Sequence, residues 1–274
     1  MSDSQVRLHK WVASLGIASR REAERWISEG RIKVNGKKVT QMGTSIDPAK
    51  DRVSLDDKSL KDKAPPKVYW MLHKPNKVLT SRVSQNDMPT IYDLPALKEM
   101  EFLLSPLGRL DYMTEGLLLL SNDGELANKL THPSSEIERK YHVLIKGRLS
   151  PEQESIIRKR QVKFDDGPCP RVELKFAHRK KIGTADGSWY FISVFEGRNR
   201  IVRKLFESFG LEVKRLIRVS FGPVSIDETL KAGEYRQLSS EELRSLKKAI
   251  QRKKPVENVV EKKSTPKPKR KKES

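Results

Sequence analysis

Pro106-Leu107-Gly108-Arg109-Leu110-Asp111-Tyr112-Met113-Thr114-Glu115-Gly116-Leu117-Leu118-Leu119-Leu120-Ser121-Asn122-Asp123-Gly124 sets one carboxylate between a basic residue and a wholly apolar run. The leucines from Leu117 to Leu120, ended by Asn-Asp-Gly, suit a short strand buried on both faces, because a strand with one wet face alternates polar and apolar residues. Gly108 and Gly116 bracket a loop that enters the core, and Asp111 sits on it. An Asp in a turn ordinarily caps its own backbone. Placement against a dry strand also suits chemistry, and the residues alone leave both roles open.

Outward from this strand, Val68 to Leu72, Tyr141 to Ile145, Val172 to Phe176, Trp189 to Phe195 and Val213 to Phe221 have strand character. Ser150-Pro151-Glu152-Gln153 starts a helix with cap, first-turn proline and acidic residue in order. Arg200 to Phe209 and Ser240 to Ile250 predict further helices. Strand pairs broken by lone helices predict an α+β domain on a mixed, mainly antiparallel sheet.

The first sixty or so residues read as a separate small unit. Leu8, Trp11, Val12 and Leu15 fall at helical spacing before Gly16. Ser19 with Glu22 forms a capping box for a second helix, whose apolar face is Ala23, Trp26 and Ile27 and whose end is Gly30. Ile32 and Val34, the turn Asn35-Gly36 and Val39 make a hairpin. The expected organisation is a unit over 1–60, a polar, Pro-rich linker over 61–67, a larger domain over 68–250 and a disordered basic tail over 251–274, whose Lys, Arg, Pro and Ser cannot offset the entropy of ordering.

The chain has 274 residues, with 56 Lys and Arg against 36 Asp and Glu, a formal charge of +20. That imbalance speaks to polyanionic partners, and nucleic acid is favoured over a membrane surface. No apolar run approaches the roughly 20 residues that span a bilayer, and no secretory signal core is present, so a cytoplasmic protein is expected. Cys169 is the one cysteine, and the five histidines lack ligand spacing, so no metal is expected. Arg20, Arg21, Arg25, Arg31, Lys33, Lys37 and Lys38 crowd one short segment, and Lys267, Lys269, Arg270, Lys271 and Lys272 load the tail; both clusters suit phosphate contacts.

The string from Gly108 to Gly124 resembles, nearly residue for residue, the catalytic motif G-R-L-D-x-x-T-x-G-L-L-L-L-T-N-D-G of the RsuA/RluB/RluE/RluF family of RNA pseudouridine synthases, and the resemblance runs from about Val6 to Leu246. The N-terminal unit resembles the S4-like RNA-binding module, which implies RNA contacts through Arg20, Arg21, Arg31, Lys33 and Lys37. The resemblance implies that Asp111 is the nucleophile. Tyr141, in Glu138-Arg139-Lys140-Tyr141-His142-Val143, would pack on the target uracil, and Arg203, in Arg200-Ile201-Val202-Arg203-Lys204-Leu205-Phe206, would pair with Asp111. Leu216 would close the other side of the uracil pocket. Arg109 and Lys74 are further substrate-binding candidates, as phosphate holders. The family string has Gln or Glu where this chain has Ile201.

By the same resemblance the substrate is ribosomal RNA, no cofactor is needed and a monomer is expected. Thr131-His132-Pro133-Ser134-Ser135-Glu136-Ile137-Glu138-Arg139-Lys140-Tyr141 and the basic tail look most like the branch that acts on large-subunit 23S rRNA, in a hairpin loop or an assembly intermediate, with a small-subunit target as the alternative. A non-catalytic ribosome-assembly factor would use the same basic surfaces. A metal-dependent nuclease built on Asp111, Asp123 and Glu125 would need closely set carboxylates and a divalent ion.

Overall fold

The protein is represented by a computed structural model that describes residues 5–61, 64–95, 97–98 and 104–251. The basic tail beyond Gln251 and part of the expected linker, residues 62 and 63, lie outside the described residues.

The N-terminal unit packs α1 (Leu8–Ser14) and α2 (Arg20–Ser28) on a four-stranded antiparallel sheet of β1 (Ile32–Val34), β2 (Lys37–Lys38), β3 (Val53–Leu55) and β4 (Lys58–Leu60), in the order β2-β1-β3-β4. Its core is Leu8, Trp11, Val12, Ala23, Ile27, Ile32, Ile46 and Val53. Asn35 and Gly36 both take positive φ, 51° and 80°, as a type I′ turn requires. Half of the expected capping box forms: Ser19 Oγ accepts from the Glu22 amide at 3.1 Å, while the Glu22 carboxylate turns to Arg25.

The second region is a nine-stranded sheet. Its main strands are β5 (Tyr69–Lys74), β6 (Glu115–Ser121), β7 (Arg139–Lys146), β8 (Val172–Ile182), β9 (Ala185–Val194), β10 (Val213–Phe221) and β11 (Tyr235–Gln237), ordered β8-β9-β7-β10-β6-β5-β11. All neighbours on that path are antiparallel except β10 and β6, which meet over Ile217↔Glu115 and Arg218↔Gly116. Around the sheet lie α3 (Gly124–Thr131), α4 (Pro151–Arg158), α5 (Ile201–Glu207) and α6 (Ser240–Gln251).

Strand β6 is buried at every position. Leu117 and Leu119 enter one cluster with Met71, Leu126 and Phe221, whereas Leu118 and Leu120 enter another with Leu72, Ile91 and Tyr92. Strands β8 and β9 run further than apolar patterning predicts, to Ile182 and back to Ala185, because their outer ladder carries Arg179, Lys180 and Lys181 and buries little. Helix α5 is shorter than expected, since Arg200 takes a left-handed φ of 52° and precedes it.

The parallel seam depends on Gly116. Its φ is +101°, and a Cβ there would lie 2.4 Å from the Arg218 carbonyl oxygen and 2.9 Å from the Arg218 nitrogen. Both atoms are backbone, so the clash has no flexible side chain to absorb it. Gly116→Ala is expected to cost about 3 kcal/mol and to lower Tm by roughly 5–10 °C in calorimetry; an unchanged Tm would mean that the seam yields freely.

Candidate active site

The parallel seam joins two half-sheets, and the loop carrying Asp111 leaves its edge at the start of β6. Lys74, the last residue of β5, is completely buried and holds this loop from beneath: its Nζ donates to the carbonyl oxygens of Pro75 at 3.0 Å, Asp111 at 3.3 Å and Thr114 at 2.8 Å. Thr80 Oγ1 donates to the Leu110 carbonyl at 2.9 Å and accepts from the Leu110 amide at 3.3 Å, and the Thr114 amide closes a turn on Asp111 O at 3.0 Å. The loop is therefore fixed through its backbone, and the carboxylate of Asp111 has no hydrogen-bond or ion-pair partner among the described residues.

This arrangement corrects the expectation that Lys74 holds a phosphate. The ammonium has three carbonyl oxygens within hydrogen-bond reach, and the side chain is fully buried. Burial, opposed by the charges of Asp111 and Glu115 and aided by that of Arg218, lowers its pKa to about 8. In the unfolded chain Lys74 would titrate near 10.5. Between these values the unfolded state binds the extra proton, so the burden of a buried cation is full below pH 8 and is relieved as pH rises toward 10.5. The stability of the wild type relative to Lys74→Met is therefore expected to increase from pH 7.5 to 10; equal differences at both pH values in urea titrations would place the Lys74 pKa at its ordinary value.

Asp111 opens into a cleft of about 240 Å³ lined also by Arg109, Thr131, Arg139, Tyr141, Leu216, Arg218 and Phe221, and by the segment from Glu196 to Val202. Tyr141 is half-buried where two hydrophobic clusters meet. A register shift between Lys140 and Tyr141 places Tyr141 opposite Arg218 on β10, the kind of local re-aiming that a bulge provides. Leu216 is 3% exposed and pairs across with Val143. Arg109 is exposed at the rim and makes no ion pair among the described residues. Ile201, where the family string is polar, packs in the core below the cleft.

Arg203 departs from its expected place. Its guanidinium donates to Met113 O at 2.7 Å and Val213 O at 3.1 Å, tying the Asp111 loop to the start of β10, and no ion pair with the Asp111 carboxylate forms. Burial lowers the Arg203 pKa, Arg200 adds to that, and Asp111 acts in the opposite direction, so the two charges feel each other without touching. The carbonyl groups reached first by the guanidinium fork set its orientation.

Sequence reasoning does not single out two arginines of the cleft wall. Arg139 is 8% and Arg218 2% exposed; Arg139 Nη1 donates to Ile137 O at 2.8 Å and Arg218 Nε to Leu117 O at 2.7 Å. Both guanidiniums lie on the ring of Phe221, at 5.4 and 5.2 Å, and burial lowers the pKa of each. The available signal is an Arg at an inward position of a strand, between Leu216 and Ser220, where charged side chains are rare unless paired.

Asp123 and Glu125 do not join Asp111. Asp123 caps α3 by accepting from the Leu126 amide at 3.2 Å and takes the Tyr69 hydroxyl at 2.8 Å, while Glu125 pairs with Lys129. Among the described residues no group of three His, Cys, Asp or Glu is placed to hold a metal ion, and no helix is long and apolar enough to cross a membrane. In the N-terminal unit Arg20, Arg21 and Lys37 are exposed and have no acidic partner among the described residues, whereas Arg31 is forked onto Asp56 and Lys33 is paired with Asp57.

The pattern of the family described as RNA pseudouridylate synthase matches residues 68–208, more than half of the chain, and that of the S4 domain matches residues 6–53. The chain belongs to the RNA pseudouridylate synthase family. It is 39% identical over 249 residues to the ribosomal large subunit pseudouridine synthase B of Pseudomonas aeruginosa, covering 89% of this chain and 62% of that protein. The protein of the same name in Bacillus subtilis is 36% identical over 243 residues, covering 88% and 95% of the two chains. This chain thus spans under two thirds of the Pseudomonas relative and nearly all of the Bacillus one. A solved pseudouridylate synthase aligns with a TM-score of 0.59 at 28% identity, over 88% of this chain and 99% of its own. The S4 match covers the helices and the first two strands of the small sheet, and the synthase match covers β5 to β9 of the large one.

Proposed function

We propose that this chain isomerises uridine to pseudouridine in ribosomal RNA, with large-subunit 23S RNA as substrate and Asp111 as nucleophile. The supporting observation is the cleft itself: a carboxylate without partners, on a loop fixed through its backbone, beside a half-buried tyrosine and a leucine and bordered by Arg109, Arg139, Arg198, Arg200 and Arg218. A base inside a helix cannot reach such a cleft, so the target uridine leaves the stack, which is least costly in a loop. The exposed Arg109 and Arg200 at the rim are then placed for the flanking phosphates, and Tyr141 and Leu216 for the two faces of the uracil. Asp111 attacks, the glycosidic bond breaks, the base turns, and C5 replaces N1 on the sugar. The chain acts in the cytoplasm as a monomer, on a hairpin loop or an assembly intermediate.

The test is carbodiimide mapping of pseudouridine in 16S and 23S RNA from cells with and without the gene, repeated with the purified protein on transcribed RNA. One 23S position that disappears without the gene and returns with it is the expected result. A 16S position would move the target to the small subunit, and tight binding with no pseudouridine would leave an RNA-binding assembly factor. Replacing Arg20, Arg21 and Lys37 together by Gln should flatten the dependence of log affinity on log salt by about 0.7–0.9 for each phosphate no longer neutralised; an unchanged slope in filter-binding titrations would assign these residues to solubility.

A further inference from the structure

Arg218 is a cation buried in the floor of the cleft with no carboxylate paired to it among the described residues. It is 2% exposed; Nε is anchored on Leu117 O at 2.7 Å, and Nη2 is buried with no hydrogen-bond partner. A buried ion without a counter-charge is strongly unfavourable, and an unused donor beside it adds to that. Arg139, itself 8% exposed, lies on the same Phe221 ring, so two like charges share one dry corner. Asp111 does not relieve them: its charge is felt by Lys74 and Arg203, whereas the Tyr141 phenol, within reach of the guanidinium, favours the charge on Arg218, and Tyr141 and Glu196 favour that on Arg139. The cleft thus has Asp111 on one side and, on the other, Arg218 with no carboxylate paired to it among the described residues.

We propose that Arg218, through the side of its guanidinium that lines the cleft, stabilises the uracil anion that forms when the glycosidic bond breaks. This rests on reading the cleft as the uridine pocket, with Tyr141 and Leu216 about the base. As the bond from C1′ to N1 breaks and an Asp111 oxygen takes its place on C1′, the electron pair stays on uracil and spreads over N1 and the carbonyl oxygens O2 and O4. The base then turns, C5 forms its bond to C1′ as the Asp111 oxygen departs with its pair, and the proton on C5 is lost to a base; nothing is oxidised or reduced. A donor fixed in advance where charge develops, in a site shielded from water, acts on the transition state more than on the bound substrate. A phosphate is a poorer fit for Arg218, because the exposed Arg109 and Arg200 meet the backbone first, at the rim.

The test compares the wild type with Arg218→Met and Arg218→Lys in single-turnover reactions on 23S RNA transcribed with either uridine or 5-fluorouridine. The product is read by mass spectrometry after digestion to nucleosides, as pseudouridine from uridine and, from 5-fluorouridine, whose C5 carries no proton to lose, as the C-glycoside that keeps its fluorine and adds water at C6. Fluorine withdraws electrons and makes the detached base a more stable anion, so it needs less help. The expected result is a fall of about 10²–10³-fold with uridine for Arg218→Met, a clearly smaller fall with 5-fluorouridine, an intermediate effect for Arg218→Lys, and RNA affinity within about twofold of wild type. Arg218→Lys keeps the buried charge and carries the test if the Met variant does not fold. Equal falls on both RNAs, or weakened affinity with a normal rate on bound RNA, would overturn the proposal while leaving the function intact. A wild-type protein inactive on both RNAs would overturn the reading of the cleft and the proposal with it.

Discussion

Asp111→Asn is expected to give a folded protein that binds RNA like the wild type and makes no pseudouridine, with a rate reduced at least about 10³-fold. The substitution is nearly isosteric, and the loop is held by its backbone: Lys74, Thr80 and the Thr114 amide all bond to main-chain atoms, so none of these contacts involves the carboxylate. The amide has neither the charge nor the nucleophilicity of the carboxylate. Asn deamidates slowly to Asp, so Asp111→Ala is run beside it, with circular dichroism to verify folding. Near wild-type turnover by either folded variant would remove Asp111 from the mechanism.

The second large effect falls on Arg203. Replacing it with Met removes the bonds to Met113 O and Val213 O, which tie the Asp111 loop to β10, and withdraws the positive charge near Asp111. A displacement of about 1 Å at a reacting group can lower the rate on the order of 10²-fold. The expected outcome is a reduction of that size in single-turnover rate, an RNA affinity within a few-fold of wild type, and a stability reduced by about 2 kcal/mol for two charge-assisted bonds. Rates and binding constants measured on the same preparations decide it. Weak binding with a normal rate on bound RNA would make Arg203 a phosphate contact.

The local parts of the fold are legible because their causes are local. Four apolar residues in succession announce a strand buried on both faces, Ser150 with Gln153 announces a helix start, and Asn35-Gly36 announces a turn; each rests on neighbours in sequence. The proposed nucleophile stands out through its long motif. Lys74 is misjudged because a lysine beside a proline looks like a surface residue in sequence, and its burial follows from β5 meeting the Asp111 loop across forty residues of separation. The direct Arg203–Asp111 pair is expected from the family string, but the carbonyl groups that claim the guanidinium belong to residues whose approach no spacing reveals. Arg218 faces Tyr141 only because of a register shift between Lys140 and Tyr141, and nothing in a single sequence marks where two strands slip.

Strand β6 has a kinetic consequence. It is dry on both faces, it is hydrogen-bonded to β5 on one edge and at its start to β10 on the other, and the Asp111 loop is attached to that start. Amides in such a strand exchange with solvent only when the whole domain opens, whereas frayed ends and surface loops exchange through small local openings. The anchorage of the Asp111 loop at Thr114 and Glu115 therefore lasts as long as the sheet does. On warming, the temperature at which the proposed isomerisation ceases should coincide with the exchange-derived opening of Leu117 to Leu120, and deuterium uptake at these four leucines would report on whether the strand that anchors the Asp111 loop is still in place.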